Sequence, residues 1–144
     1  MPPRDGSSMP SMARLILLLL LWAAGAAAQT ERFYDAQGRS TGRAESSGGV
    51  TRYYDAQGRS AGRTETGDRA TRFYDAQGRS TGRSENGRSY DAQGRSTGRA
   101  ETHGTTTRLY DAEGRSAGRI EDRGGSLRAY DAQGRATGRV DRRE

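Results

Sequence analysis

The chain of 144 residues has no cysteine and no lysine, and its single histidine is His103. Each absence removes a class of chemistry. Without cysteine there is no disulfide framework, no thiolate nucleophile and no lipid-bearing cysteine. Without lysine there is no GxxxxGK phosphate loop. His103 lies in the polar stretch ETHGTTT and reads as a solvated spectator. One histidine and no cysteine leave no Ser–His pair and no zinc cluster. The sequence therefore predicts a non-enzymatic protein with no cofactor.

Large apolar side chains are scarce too. Beyond residue 28 they are Phe33, Val50, Phe73, Leu109, Ile120, Leu127 and Val140, supplemented by tyrosines. So little aliphatic content excludes an ordinary globular core and by composition points towards partial disorder. Only the regularity of the sequence argues for a fold.

The one long apolar run is at the start. Leu15 to Leu21 reads LILLLLL, follows Arg14 and precedes Trp22 and AAGAAA. A positive charge, a short apolar run and small residues before a polar one describe a secretory signal peptide. Ala26 and Ala28 suit the two small positions before a cut at Gln29, so residues 1–28 are expected to be removed. The fourteen residues Leu15 to Ala28 fall short of the roughly 20 that a spanning helix needs. Met12 is an alternative start that gives a more compact leader. The expectation is a secreted or periplasmic chain with no stable membrane span after cleavage.

What is abundant is one decapeptide. YDAQGRSTGR stands at 34–43, 74–83 and 90–99, with near-copies at 54–63, 110–119 and 130–139. Its tyrosines, Tyr34, Tyr54, Tyr74, Tyr90, Tyr110 and Tyr130, are spaced 20, 20, 16, 20 and 20 residues apart. Fixed-period self-similarity takes precedence over local readings. Six units start near 32, 52, 72, 88, 108 and 128, with residues 29–31 read as a stub and 141–144 as a charged tail.

Each unit carries a hairpin signal. An aspartate opens a type I turn and a glycine three residues on closes it in the left-handed conformation. The turn pairs are Asp35 and Gly38, Asp55 and Gly58, Asp75 and Gly78, Asp91 and Gly94, Asp111 and Gly114, and Asp131 and Gly134. Each turn supplies one carboxylate, whereas calcium loops cluster several, so no metal site is expected. With Asp35 and Arg39 flanking the turn, Tyr34 is expected to face Ser40, Phe33 to face Thr41 and Arg32 to face Gly42. The six tyrosines then form the core over small residues. The position before them reads Phe, Tyr, Phe, Ser, Leu and Ala, which suggests an outer face. Between Glu85 and Arg88 the linking loop shrinks to Asn86-Gly87, a two-residue hairpin signal. Four residues are lost there, an even number, so no side chain changes face. The prediction is an all-β meander of about twelve short antiparallel strands, as a small ring or solenoid.

Tyr-Asp-x-x-Gly-Arg at about twenty-residue spacing resembles the YD repeats of RHS and teneurin-like proteins. That resemblance implies β-hairpin units over 32–139. The sequence departs from that pattern: the leucine usual after Gly-Arg is Ser40, Ser60, Ser80, Ser96, Ser116 or Ala136, and Arg32 and Arg52 replace an aromatic. The chain is too short to form an enclosing shell, so a small closed ring or flower of tandem hairpins is the nearer architecture.

All 24 basic residues are arginines, against 18 acids, for a net charge of +6. Arg43, Arg63, Arg83, Arg99 and Arg119, beside the tyrosines, are candidates for holding an envelope polysaccharide or another anionic polymer. The alternative is a flexible Arg/Gly/Tyr-rich chain binding anionic polymers or RNA. The leader and the balancing acids argue against nucleic acid. A lipid-facing barrel would place arginines such as those of RSTGRAE in the membrane, which argues against it.

Overall fold

The chain reverses direction at every Asp-Ala-(Gln/Glu)-Gly. At the first turn the Gly38 amide donates to the Asp35 carbonyl at 3.0 Å and the Asp35 amide to the Arg39 carbonyl at 2.9 Å. The Asp35 carboxylate accepts the amides of Gln37 and Arg39, both at 2.9 Å, and Gly38 takes φ 78. Local hydrogen bonding thus closes the hairpin within the turn's own residues.

The computed structural model describes residues 28–143. They form β1 (Gln29–Asp35), β2 (Ser40–Ser47), β3 (Val50–Asp55), β4 (Ser60–Thr66), β5 (Ala70–Tyr74) and β6 (Ser80–Glu85). The series continues with β7 (Arg88–Asp91), β8 (Ser96–His103), β9 (Thr106–Asp111), β10 (Ser116–Asp122), β11 (Ser126–Tyr130) and β12 (Ala136–Arg143). Each strand pairs antiparallel with its neighbours in sequence, and β1 pairs with β12 to close a barrel. Among the described strands no edge remains to template aggregation. There is no helix among the described residues. The stub 29–31 proves to be part of β1, and 141–143 part of β12. The expected leader, with Ala26, lies outside the described residues except for Ala28, which is exposed just before β1.

Inside each Asp-Gly hairpin the register differs from the simple reading. Tyr34 faces Ser40, but Phe33 faces Gly42 and Arg32 faces Arg43, so Thr41 is an extra residue in a β-bulge. The same shift occurs in the other five hairpins. One inserted residue turns every later side chain of the strand to the other face. Gly42, Ala44 and Ser46 therefore point inward, and Arg43 and Glu45 outward. The glycine is sterically required. At Gly62, with φ 134, a Cβ would overlap the Tyr74 carbonyl oxygen of the next strand. Going once round the ring advances the register by about twelve residues, two for each hairpin, and this even shear tilts the strands without mixing the faces.

The core is the second correction. Phe33, Tyr53, Phe73, Leu109 and Ala129, each directly before a repeat tyrosine, are buried. Ala44, Ile120, Leu127 and Val140 join them. The repeat tyrosines Tyr34, Tyr54, Tyr74, Tyr90, Tyr110 and Tyr130 are half-buried on the opposite, outer face. In a closed ring the inward positions converge on one axis and share its volume. Phe33 and Tyr53 can then be offset by Ser89 and Ala129 elsewhere, so variation at this position reflects a pooled core. Most aliphatic cover comes from β9–β12, packed with Phe33 and Tyr53. Thr64, Ser84 and Ser89 line the other side, also buried.

Candidate functional site

Strand pairing between hairpins places each outward arginine opposite the tyrosine of the next hairpin, as Arg43 faces Tyr54 and Arg63 faces Tyr74. The guanidinium lies over the ring. Arg43 is 4.5 Å from the Tyr54 centroid, Arg63 4.4 Å from Tyr74, and Arg83 4.7 Å from Tyr90. Arg99 is 4.4 Å from Tyr110 and Arg119 4.3 Å from Tyr130. The closing strand pair makes the same contact, Arg139 over Tyr34 at 4.4 Å. These are cation–π contacts on a half-screened surface, each worth about 0.5–1 kcal/mol. The tyrosine is constant along the chain because each contact is separate and has the same needs.

The stacked arginines are also ion-paired along their own strands. Arg43 Nε donates to Glu45 at 2.9 Å and Arg63 Nε to Glu65 at 2.9 Å. Arg99 to Glu101 and Arg119 to Glu121 are each 3.0 Å. The expected binding residues Arg43, Arg63, Arg83, Arg99 and Arg119 are thus all stacked on the barrel's own tyrosines, and four of them are bridged to glutamate.

The arginine of each turn is committed too. Arg39 Nε binds Asp35 at 2.7 Å, as Arg59 binds Asp55 and Arg95 binds Asp91. In Asp35, Asp55, Asp75, Asp91 and Asp131 the backbone amide four residues on is the largest cause holding the carboxyl below its ordinary range. At Asp111 burial pushes the other way, but the bonds from Arg115 outweigh it.

A further set of guanidiniums is uncommitted. Arg32, Arg52, Arg72, Arg88, Arg108 and Arg128, two residues before each repeat tyrosine, are exposed on the outer wall. Arg32 faces Arg43 across the ladder, Arg52 faces Arg63, and the pattern continues to Arg128 and Arg139. On the other side of the ladder each faces an acid: Arg52 faces Glu45, Arg72 Glu65, Arg88 Glu85, Arg108 Glu101, Arg128 Glu121 and Arg32 Asp141. Among the described residues none of these pairs closes to a salt bridge, and four of the acids are bridged to a stacked arginine instead. Two arginines against one acid leave one net positive charge per hairpin around the wall. Two of them, Arg32 and Arg52, stand out in the sequence only as departures from an aromatic. Their one visible signal was an arginine at the same offset in every copy.

One polar cluster breaks the pattern and lies inside the barrel. Glu31 is buried to 4% exposure and accepts from Arg142 Nε at 3.2 Å across the β1–β12 seam. Arg142 also approaches Asp122 at 3.8 Å. Burial raises the Glu31 pKa against the opposing pull of Arg142. Tyr53 beside it is pushed up to about 12, chiefly by burial. No other hairpin carries such a pair at these positions, so it marks the seam.

No group of acids and histidines able to hold a metal ion occurs among the described residues. No protein-family model matches the chain, and no curated protein is significantly similar to it.

Proposed function

We propose that this chain is an exported, non-enzymatic binding protein of tandem hairpins whose outer wall holds an anionic polymer such as an envelope polysaccharide. The observation that carries this reading is a girdle of six exposed arginines, Arg32, Arg52, Arg72, Arg88, Arg108 and Arg128, that close no salt bridge among the described residues and, with their stacked neighbours, outnumber the acids between them. Exposed guanidiniums are weakly hydrated forks that suit carboxylate, sulfate and phosphate groups. Their even spacing round a rigid closed ring adds weak contacts on one polymer into avidity. The leader at residues 1–28 and the likeness to YD hairpin repeats fit the same role. So does the charged outer face, which suits water.

The test is retention of the folded chain on an immobilised acidic polysaccharide under a salt gradient. Replacing Arg52, Arg72, Arg88 and Arg108 together by glutamine should move elution to clearly lower salt while the melting transition stays in place. Unchanged retention would overturn the proposal. Replacing the stacked Arg43 set is the poorer experiment, because it also unseats the tyrosines.

A further inference from the structure

The sixth contact between hairpins, where β12 meets β1, is built from different residues than the other five. Ala136 stands where the other copies have serine, and Asp141 stands where they have Glu45, Glu65, Glu85, Glu101 and Glu121. Aspartate is one methylene shorter. It reaches Arg139 Nε only at 3.4 Å, against 2.9–3.0 Å for the bridged glutamates. Its other oxygen accepts from Ser126 Oγ at 3.1 Å. Arg139 is therefore the least neutralised of the bridged stacked arginines. Directly across the ladder is Arg128, exposed; the acid on its other side, Glu121, is bridged to Arg119 and Arg123 and not to it.

Arg128 and Arg139 border one groove of about 270 Å3, lined also by Asp35, Ala36, Tyr130, Ala136 and Gly138. Asp35 is already neutralised by Arg39 at 2.7 Å. Arg128 and Arg139 against Asp141 leave a single net positive charge, which matches a monoanion better than a phosphate dianion. Ala36, Ala136 and Gly138 form a floor with little to hydrogen-bond, suited to the C–H face of a pyranose. The volume falls just below the range of about 300–1,000 Å3 for drug-sized ligands, enough for one ring and its substituents.

We propose that this seam groove is a site for one sugar carboxylate, a hexuronic acid residue, held by Arg128 and Arg139 through its carboxylate and by the alanine floor through its ring. The proposal rests on the anionic-polymer reading and deepens it by naming the acid group. The residue bound can be a free uronic acid or part of an acidic chain; the guanidiniums meet the same carboxylate in both.

Calorimetric titration of the folded chain with glucuronate, with glucose, and with a short oligoglucuronide tests it. The expected result is one site per chain for glucuronate and none for glucose. Arg128→Gln should weaken glucuronate about tenfold, the loss of one charge-assisted contact. Asp141→Glu, which restores the residue of the other five copies, should also weaken it several-fold by neutralising Arg139. Both positions are on the wall, and a thermal melt run with each variant confirms that the barrel is intact. Tighter binding of the oligomer than of the monosaccharide identifies the polymer as the source, and equal binding identifies the free acid. Several equal sites, equal binding of glucose, or an unchanged affinity in Asp141→Glu would overturn the seam assignment. A chain retained on polysaccharide that takes up no glucuronate loses the seam site alone; a chain that does neither loses both proposals.

Discussion

Tyr53 and Tyr54 are adjacent, identical and on opposite sides of the barrel wall, which makes them a direct test of which face is inside. Tyr53 is 8% exposed, packs 6.5 Å from Phe33, and its hydroxyl lies 3.2 Å from Thr64 Oγ1. Truncation to alanine removes a buried ring and leaves a cavity, at a cost of about 3–5 kcal/mol. Tyr54 is half-buried under Arg43. Its truncation forfeits a cation–π contact of about 0.5–1 kcal/mol and a similar amount of partial cover, about 1–2 kcal/mol in all. Phenylalanine separates the two more sharply. Tyr53→Phe strands Thr64 and should cost about 1 kcal/mol. Tyr54→Phe keeps the π face under the guanidinium and should cost close to nothing. Urea unfolding followed by circular dichroism gives all four values, provided the m-value holds across the series. A Tyr54→Ala chain as unstable as Tyr53→Ala, or a Tyr54→Phe costlier than Tyr53→Phe, would refute the assignment of faces.

Two further outcomes follow from the ion pairs. Arg142→Gln leaves Glu31 buried without its cation and should destabilise the closed barrel by about 3 kcal/mol. Glu31→Gln should cost less, because Arg142 keeps Asp122 and is the more exposed partner. Equal losses in urea titrations of the two variants would contradict this. The turn aspartates have folded pKa values below their unfolded ones, so their contribution is complete above the ordinary aspartate range. It is lost as pH falls through the lower folded value. Glu31, with a raised pKa, has the opposite sign: its contribution favours folding when protonated and is lost as pH rises through its folded pKa. Thermal melts between neutral and strongly acid pH should therefore fall on the acid side. Replacing Asp55 and Asp75 by asparagine should flatten that fall, and an unaltered slope would exclude the turns as its source.

How much of this was open to sequence reasoning differs by residue. An all-β chain of twelve antiparallel strands was legible, because Asp and Gly three apart act on their own neighbours and need no distant partner. The open question of ring or solenoid was settled by β1 lying against β12, and the alternative of a chain without a fixed fold does not describe residues 28–143. The candidate site was half legible. Arginine beside tyrosine was noticed, but the arginines chosen, Arg43 and its equivalents, are the committed ones, and the free set at Arg32 and its equivalents was overlooked. Each stacked arginine meets a tyrosine from the following hairpin, a contact that spacing within one copy cannot show.

The sequence by itself determined where the chain turns, how many strands it makes and that every hairpin is alike, because those depend on short-range backbone chemistry. Only the tertiary structure decided which face is the core. Alternation defines two faces but not their sense, and a single bulged residue at Thr41 and its equivalents reverses the sense of each second strand. Once the ring closes, the six inward positions share one interior and can differ freely in size. The outward tyrosines each serve a private contact and cannot. Constancy along this chain therefore marked the wall, and variation marked the core.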